Sequence, residues 1–169
     1  MSASPLYSFE PLADQDRTSF SCGIPELDDY LRQQATQDAK RKVAAPFVMV
    51  DAARHILGYY TLSAYGIRAE ELPHTVAKKL PKYPLIPATL LGRLAVSREY
   101  QGQKLGRVLL MDALNRSWKN TVEVASVGVV AEAYDEAARE FYLHYEFRPL
   151  EGHLKKLFIA MATIKKAFG

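Results

Sequence analysis

The sequence contains one cysteine and no long hydrophobic run. Cys22 is the single thiol among 169 residues, which excludes an internal disulfide and a metal site built from cysteines. No apolar stretch approaches the roughly 20 residues that cross a bilayer. Residues 1–10 also lack the basic and apolar regions of a secretory signal. We therefore expect a cytoplasmic protein without a membrane segment.

The sequence also has little excess of charge of either sign, since the formal net charge is only +3. The hydrophobic content of 49% is ordinary for a globular protein, and the length fits a single domain over residues 1–169. Basic residues nevertheless cluster at 40–42, 78–82, 93–119 and 155–156. Several clusters on one face would attract a polyanion, whereas each cluster taken alone is typical of a solvated surface.

Apolar spacing predicts a chain that alternates strands and helices. We expect strands at 4–12, 46–51, 55–68, 90–96, 122–130 and 157–161. Helices are expected at 24–42, from 106 onward, after the cap at Asp135, and in the basic tail, with a proline-rich loop at 70–87. This order predicts an α/β fold in which helices flank a mixed sheet.

The segment 101–106 carries the clearest chemical signal. It follows an apolar strand and opens a helix, and Gly102 and Gly106 permit backbone N–H groups to converge. With the partial positive charge of a helix N-terminus, this arrangement favours phosphate. A P-loop would need Ser or Thr after Lys104, and a dinucleotide-binding turn would follow the first strand. Both of those motifs fit poorly.

The turn Gln101–Gly106 together with Ala137–Phe147 resembles the GNAT N-acetyltransferases over nearly the whole chain. Four segments narrow the resemblance to the TacT-like toxin branch of bacterial toxin–antitoxin modules: Phe20–Leu31, Gly58–Ser63, Leu91–Val96 and Asp135–Tyr142. The resemblance implies a mixed, mostly antiparallel sheet flanked by helices, with central strands that splay apart. It also implies acetyl-CoA as co-substrate and no metal.

In the family, the turn Gln/Arg-x-x-Gly-x-Gly/Ala holds the pyrophosphate of acetyl-CoA. Here Gln101 and Gly106 match, whereas Lys104 stands where a glycine is expected, so this position has to tolerate a side chain. The resemblance implies that the turn binds pyrophosphate and that strand backbone binds pantetheine. The implied cofactor-binding residues are Leu94, Ala95, Val96, Gln101, Gly102, Gln103, Lys104, Leu105, Gly106 and Arg107.

The resemblance assigns Tyr142 as the general acid that protonates the departing CoA thiolate. A phenol remains protonated at neutral pH and can donate. Pattern alone leaves a packing role open, because Tyr142 lies on the apolar stripe of its helix with Ala138, Phe141 and Tyr145. No general base stands out, and the weakly basic α-amine of an aminoacyl ester is partly neutral without one.

The toxin branch implies acetylation of the α-amino group of aminoacyl-tRNA, which blocks translation. We expect tRNA contacts at Arg93, Arg98, Lys78, Lys79 and Lys82, and Arg93 has the further possibility of facing the acceptor cleft. A ribbon-helix-helix antitoxin and a homodimer are the partners that the resemblance implies. Two alternatives remain: an acetyltransferase for a small amine or a protein N-terminus, and a CoA-binding protein without catalysis.

Overall fold

The computed structural model describes residues 7–168. Seven strands form one sheet in the order β1-β2-β3-β4-β5-β7-β6. The strands are β1 Tyr7–Pro11, β2 Ala45–Asp51, β3 Ile56–Ile67, β4 Ile86–Val96, β5 Gly128–Glu132, β6 Arg148–Pro149 and β7 Lys156–Ala160. The helices are α1 Pro25–Asp29, α2 Ala35–Lys40, α3 His74–Ala77, α4 Leu105–Asn120, α5 Glu136–His144 and α6 Met161–Phe168.

The predicted mixed α/β fold is confirmed. β1 with β2, β2 with β3, β5 with β7, and β6 with β7 are antiparallel, whereas β4 and β5 are parallel. The described chain divides into two compact units, 7–62 with 93–113 and 63–92 with 114–168. The assignment of one domain stays a prediction. None of the described helices is long and apolar enough to cross a membrane.

In the first unit, the segment from Pro25 to Lys40 packs against β2 and β3. Pro25 suits the first helical position, where its missing N–H costs nothing. Leu27, Leu31 and Ala35 recur at four-residue spacing and form one apolar stripe. Leu31 and Ala35 join the core, whose other buried members include Phe20, Val48, Val50, Ile56 and Tyr59.

The single helix predicted over 24–42 is interrupted in the structure. A π-helical turn, Tyr30–Gln34, separates α1 from α2. A π-turn accommodates one extra residue in a single wider turn, so the apolar residues on both sides of it still lie on one face. The hydrophobic spacing therefore looks continuous in the sequence although the backbone is not a continuous α-helix.

In the second unit, the first part of β4 (86–92), β5 and β7 are adjacent and enclose a core with Ile67, Leu72 and Ile86. The parallel β4–β5 ladder comprises three residue pairs, from Thr89↔Val129 to Leu91↔Ala131. β4 continues for five residues beyond its last pair, to Val96. The parting of the central strands stays a prediction.

Several predicted boundaries are wrong. The expected strand 122–130 begins only at Gly128, because α4 runs to Asn120 and the Val124 N–H bonds to the Asn120 carbonyl in a turn. Val122 and Val124 are exposed. β4 starts at Ile86 rather than residue 90, inside the expected loop, and the short β6 was not predicted. In the first predicted strand, residues 4–6 lie outside the described residues.

Candidate active site

The turn after β4 is fixed from several sides. The backbone N–H of Ser97 donates to the Leu57 carbonyl at 2.8 Å, and that of Arg98 donates to the Ser21 carbonyl at 2.7 Å. The side-chain amide of Gln101 donates to the Val96 and Cys22 carbonyls at 3.0 and 2.9 Å. Gln101 therefore holds the turn against the end of β4, and this use of its amide was not anticipated from the sequence.

Two residues of the turn adopt left-handed backbone conformations. Gly102 has φ +84°, and Lys104 has φ 62°. Such angles are natural for glycine and uncommon for other residues. Lys104 thus adopts the left-handed conformation for which the family motif uses glycine, and its side chain is exposed. The surroundings leave room for a side chain at this position, and the cost of having one is the strain of a left-handed backbone angle.

α4 begins at Leu105, directly after the turn. The first N–H groups of a helix have no acceptors within the helix and carry its partial positive charge. Here they belong to Leu105, Gly106 and Arg107, and the exposed side chains of Lys104 and Arg107 add full positive charges. Left-handed turn residues, free helical N–H groups and two cations make this segment suitable for a pyrophosphate.

The end of β4 supplies backbone and one notable side chain. Alternation along the strand puts Arg93 and Ala95 on one face and Leu94 and Val96 on the other. Ala95 is buried in the core of the first unit, and Leu94 and Val96 are half-buried. The Arg93 guanidinium lies over the Tyr30 ring, 3.5 Å from its centroid.

Tyr142 lies in the second unit on α5, which Asp135 caps by accepting a hydrogen bond from the Ala138 N–H at 2.8 Å. The tyrosine is 3% exposed, and its ring contacts Phe141 and Phe147. Burial raises the pKa of Tyr142 well above its usual value. The phenol is therefore held in its protonated, proton-donating form at all physiological pH values.

The Tyr142 hydroxyl is available to a ligand. Among residues 7–168 it has no hydrogen-bond partner, and no described side-chain oxygen or nitrogen is both fully buried and unpaired. The oxygen atom must therefore reach some open surface while its ring stays packed. Core packing and a free donor coexist in this residue, so the two roles left open by its sequence pattern do not exclude each other.

The remaining predicted residues are basic and belong to different units of the chain. Arg98 belongs to the first unit, where its Nη2 atom lies 2.8 Å from the place that a Cβ of Gly23 would occupy. The second unit holds the exposed Lys78, Lys79 and Lys82, close in sequence to the exposed Tyr83 and Leu85.

Cys22 is not arranged as a nucleophile. Burial raises the pKa of its thiol to about 11, so the reactive thiolate is scarce at neutral pH. Within the described part of the chain, no group of three or more His, Cys, Asp or Glu residues could hold a metal ion.

Sequence reasoning missed a second set of polar residues in the first unit. The Tyr30 hydroxyl donates to Asp38 at 2.8 Å, and the Gln34 amide donates to the same carboxylate at 2.9 Å. An eight-residue separation does not predict contact in a regular helix. No signal in the sequence marks the π-turn that permits it.

Comparison with known proteins identifies the fold and the chemistry. Residues 45–149 match the acetyltransferase (GNAT) domain. The chain is 36% identical over 132 residues to the tRNA-acetylating toxin of Mycobacterium tuberculosis, covering 78% of each protein.

Solved structures agree over 96% of the chain. A Tyr-to-Phe variant of KacT matches with a TM-score of 0.90 and 30% identity, covering 99% of that chain. AtaT complexed with acetyl-methionyl-tRNAfMet matches with a TM-score of 0.89 and 32% identity, also over 99% of that chain. An AtaT variant bound to acetyl-CoA and the C-terminus of the antitoxin AtaR matches with a TM-score of 0.83 and 29% identity, over 98% of that chain.

These matches confirm the expected resemblance and the expected acetyl-CoA chemistry. The chain belongs to the GNAT family and is an acetyl-CoA-dependent N-acetyltransferase.

Proposed function

We propose that this protein transfers acetyl from acetyl-CoA to the α-amino group of aminoacyl-tRNA and thereby blocks translation, as the toxin of a toxin–antitoxin pair. One observation carries the proposal: almost the whole chain matches AtaT in a structure with acetyl-methionyl-tRNAfMet. The name of the Mycobacterium tuberculosis relative points to the same reaction. Acetylation removes the amine that peptide-bond formation requires.

We assign the pyrophosphate of acetyl-CoA to the turn from Gln101 to Arg107. Backbone N–H groups from Gly102 to Arg107 would donate to its oxygens, and Lys104 and Arg107 would neutralise its charge. Gln101 would act indirectly, by fixing the turn to Val96 and Cys22. The backbone of Leu94, Ala95 and Val96 would pair with the pantetheine arm as an added strand does.

We assign the proton for the leaving group to Tyr142. The neutral α-amine attacks the thioester carbon, and a backbone N–H near Leu94 would stabilise the oxyanion. Collapse of the intermediate forms the amide bond, breaks the C–S bond and leaves a thiolate, which takes the phenolic proton of Tyr142. Solvent then receives the proton lost by the amine and reprotonates the phenolate.

Basic side chains support a nucleic-acid substrate. Our candidates for tRNA contacts are Arg93, Arg98, Lys78, Lys79 and Lys82, and the three lysines are exposed. Lysine and arginine contacts with phosphate supply affinity that falls steeply with salt. Tyr83 is 60% exposed and close in sequence to Lys82, and so offers a ring on which a base could stack.

We further propose three properties that the toxin branch suggests. The partner is a ribbon-helix-helix antitoxin, the active species is a homodimer, and the protein acts in the cytoplasm. The related complex of AtaT with the C-terminus of AtaR supports an antitoxin partner. Co-expression with the adjacent gene product, followed by light scattering, tests both the partner and the dimer.

Transfer of label provides the direct test of the reaction. The protein is incubated with radiolabelled acetyl-CoA and a pool of charged tRNAs, and the RNA is recovered. We expect label on aminoacyl-tRNA, released by mild base as N-acetyl amino acid, together with arrest of cell-free translation. Label on polyamines or peptides alone would instead support an acetyltransferase for a small amine or a protein N-terminus.

A further inference from the structure

Arg93 is held in place while its hydrogen-bonding capacity remains unused. Its guanidinium stacks on Tyr30, and within residues 7–168 its N–H groups have no hydrogen-bond partner and no carboxylate at salt-bridge distance, although Asp38 attracts the charge from farther away. No described nitrogen is both fully buried and unpaired, so these groups face open space. An arginine that is half-buried, oriented and unpaired is suited to bind an anion through its planar fork.

The ring beneath Arg93 is itself fixed. Tyr30 is 7% exposed and stacks on Tyr59, with ring centroids 6.3 Å apart. Its hydroxyl donates to Asp38, whose carboxylate also accepts from Gln34. Asp38 therefore anchors Tyr30, and Tyr30 supports Arg93 without consuming any of the arginine N–H groups.

The π-turn explains how Tyr30 reaches Asp38. In a regular α-helix, residues eight apart point about 80° away from each other. One residue absorbed by the π-turn from Tyr30 to Gln34 reduces that difference to about 20°. Tyr30 and Asp38 then share one face of the helical segment. Interruptions of this kind are common at functional sites.

The location of Arg93 limits what the anion can be. Arg93 directly precedes Leu94 on β4, about 3.3 Å along the strand from the backbone that we assign to the thioester end of pantetheine. In aminoacyl-tRNA, the last phosphodiester is one ribose away from the aminoacyl ester. It is therefore the acceptor anion nearest to the reacting amine.

We propose that Arg93, stacked on Tyr30, binds the phosphate that links the last two nucleotides of the acceptor end and thereby positions the amine. This inference rests on the proposed aminoacyl-tRNA substrate. Tyr30 and Asp38 are positioning residues that act through Arg93. The 3′-phosphate of CoA offers the same chemistry from another source, and the experiment distinguishes the two.

The first experiment separates the two substrates kinetically. We expect Arg93→Gln to raise KM for aminoacyl-tRNA about tenfold or more, with KM for acetyl-CoA unchanged. Arg93→Lys keeps the charge but loses the fork and the flat stacking, so it should be nearly as impaired. Arg148→Gln is the matched control, because it removes one exposed positive charge on β6. A raised KM for acetyl-CoA in Arg93→Gln, or full activity of Arg93→Lys, would overturn the inference.

The second experiment identifies the phosphate. The substrate is an aminoacylated minihelix with an uncharged methylphosphonate at the last internucleotide linkage. We expect the wild-type protein to lose about as much affinity as Arg93→Gln loses with the normal linkage. The two changes combined should cost little more than either one. Equal losses in the wild-type protein and in Arg93→Gln would mean that Arg93 does not contact this phosphate.

The third experiment examines the support beneath Arg93. Tyr30→Phe keeps the ring but loses the hydrogen bond to Asp38, so it should raise KM for aminoacyl-tRNA by less than Tyr30→Leu. Tyr30→Leu should raise that KM as Arg93→Gln does. Thermal unfolding checks that Tyr30→Leu folds. If it does not fold, Arg93→Lys still tests whether stacking on Tyr30 matters, because it loses that stacking without changing the core. A wild-type protein inactive on aminoacyl-tRNA would overturn the proposed function together with this inference. An active wild-type protein with an unaffected Arg93→Gln variant would overturn the inference alone.

Discussion

Lys104 shows at the scale of one residue why a motif position can be occupied by an unexpected side chain. The family glycine is explained by a left-handed backbone, and Lys104 adopts that backbone with φ 62°. Its side chain is exposed, so no atom has to move to accommodate it. The sequence identified the departure from the motif, but only the backbone angle shows that the cost is conformational rather than steric.

Comparison of Lys104→Gly with Lys104→Ala isolates this conformational cost. Both variants remove the ammonium group, but only glycine adopts the left-handed angle without strain. We expect Lys104→Gly to be more stable than Lys104→Ala by about 1 kcal/mol in urea unfolding. Equal stability of the two variants would show that the turn relaxes to another conformation in the absence of lysine.

Tyr142→Phe tests the general acid. The change removes only the hydroxyl, which has no partner among the described residues, so the melting temperature should hardly change. We expect kcat to fall about 100-fold while KM for acetyl-CoA is maintained. Tyr145→Phe is the control, because the Tyr145 ring packs on Phe141 and its loss of a hydroxyl should leave kcat unchanged. Undiminished turnover by Tyr142→Phe would remove the tyrosine from the mechanism.

At the scale of secondary-structure elements, the strand predicted at 122–130 shows where local propensity was overridden. Val122 and Val124 are β-branched and favour strands, yet their backbone N–H groups donate to carbonyls of the turn that ends α4. Gly128 then begins β5, although glycine usually weakens a strand. The reason is non-local, because the Ile159 carbonyl and the Phe158 ring on β7 leave no room for a Cβ at this position, which no local pattern reveals.

Gly128→Ala should therefore damage the second unit. An added Cβ would lie 2.3 Å from the Ile159 carbonyl and 2.5 Å from the Phe158 ring. We expect a loss of about 3 kcal/mol in the free energy of unfolding, measured with urea. Gly102→Ala is the comparison, because its Cβ meets nothing within 4 Å and only its angle is strained. A Gly128→Ala loss no greater than that of Gly102→Ala would contradict the close approach of Ile159 and Phe158 to this glycine.

The segment after α3 allows a test of the basic surface. Replacing Lys78, Lys79 and Lys82 with Gln should weaken tRNA binding and lower the slope of log affinity against log salt by about two. Replacing the exposed Lys155, Lys165 and Lys166 changes the net charge equally and should leave the slope nearly unchanged. Filter binding at several salt concentrations provides the measurement. The same change of slope in both triple variants would assign the effect to net charge alone.

At the scale of the whole molecule, fold class was predictable because strands and helices alternate with clear apolar spacing. The phosphate-binding turn was predictable because Gly102 and Gly106 flank a helix start. The anchors of that turn were not, since Gln101 and Cys22 are 79 residues apart and meet only after folding. The Tyr30–Asp38 contact was hidden for the same reason, because it depends on a π-turn within an ordinary helical pattern.

Buried tyrosines predict how stability depends on pH. Burial raises the pKa of Tyr30 to about 12 and also raises the pKa values of Tyr59 and Tyr142. Unfolded tyrosines ionise near pH 10, whereas these three stay protonated in the fold. Their stabilisation is therefore complete below about pH 10 and lost as pH rises further, by at most about 1.4 kcal/mol per pH unit for each tyrosine, and for Tyr30 only up to about pH 12. Guanidinium unfolding at pH 8 and at higher pH measures this loss, and equal stability throughout would contradict the burial of the phenols.

The two hydrogen bonds of Gln101 have a consequence for which substitutions the turn can accept. The conformation of the turn is fixed by hydrogen bonds to residues around it, namely those of Gln101 to the Val96 and Cys22 carbonyls and the backbone bonds of Ser97 and Arg98. A segment constrained in this way does not depend on glycine for its conformation, because the surrounding structure maintains a strained angle. Position 104 is thereby open to variation, whereas position 101 needs a side chain that can donate to both the Val96 and the Cys22 carbonyl. Replacement of Gln101 would remove the two hydrogen bonds that help to hold the turn, and Lys104 would then be expected to leave its left-handed conformation.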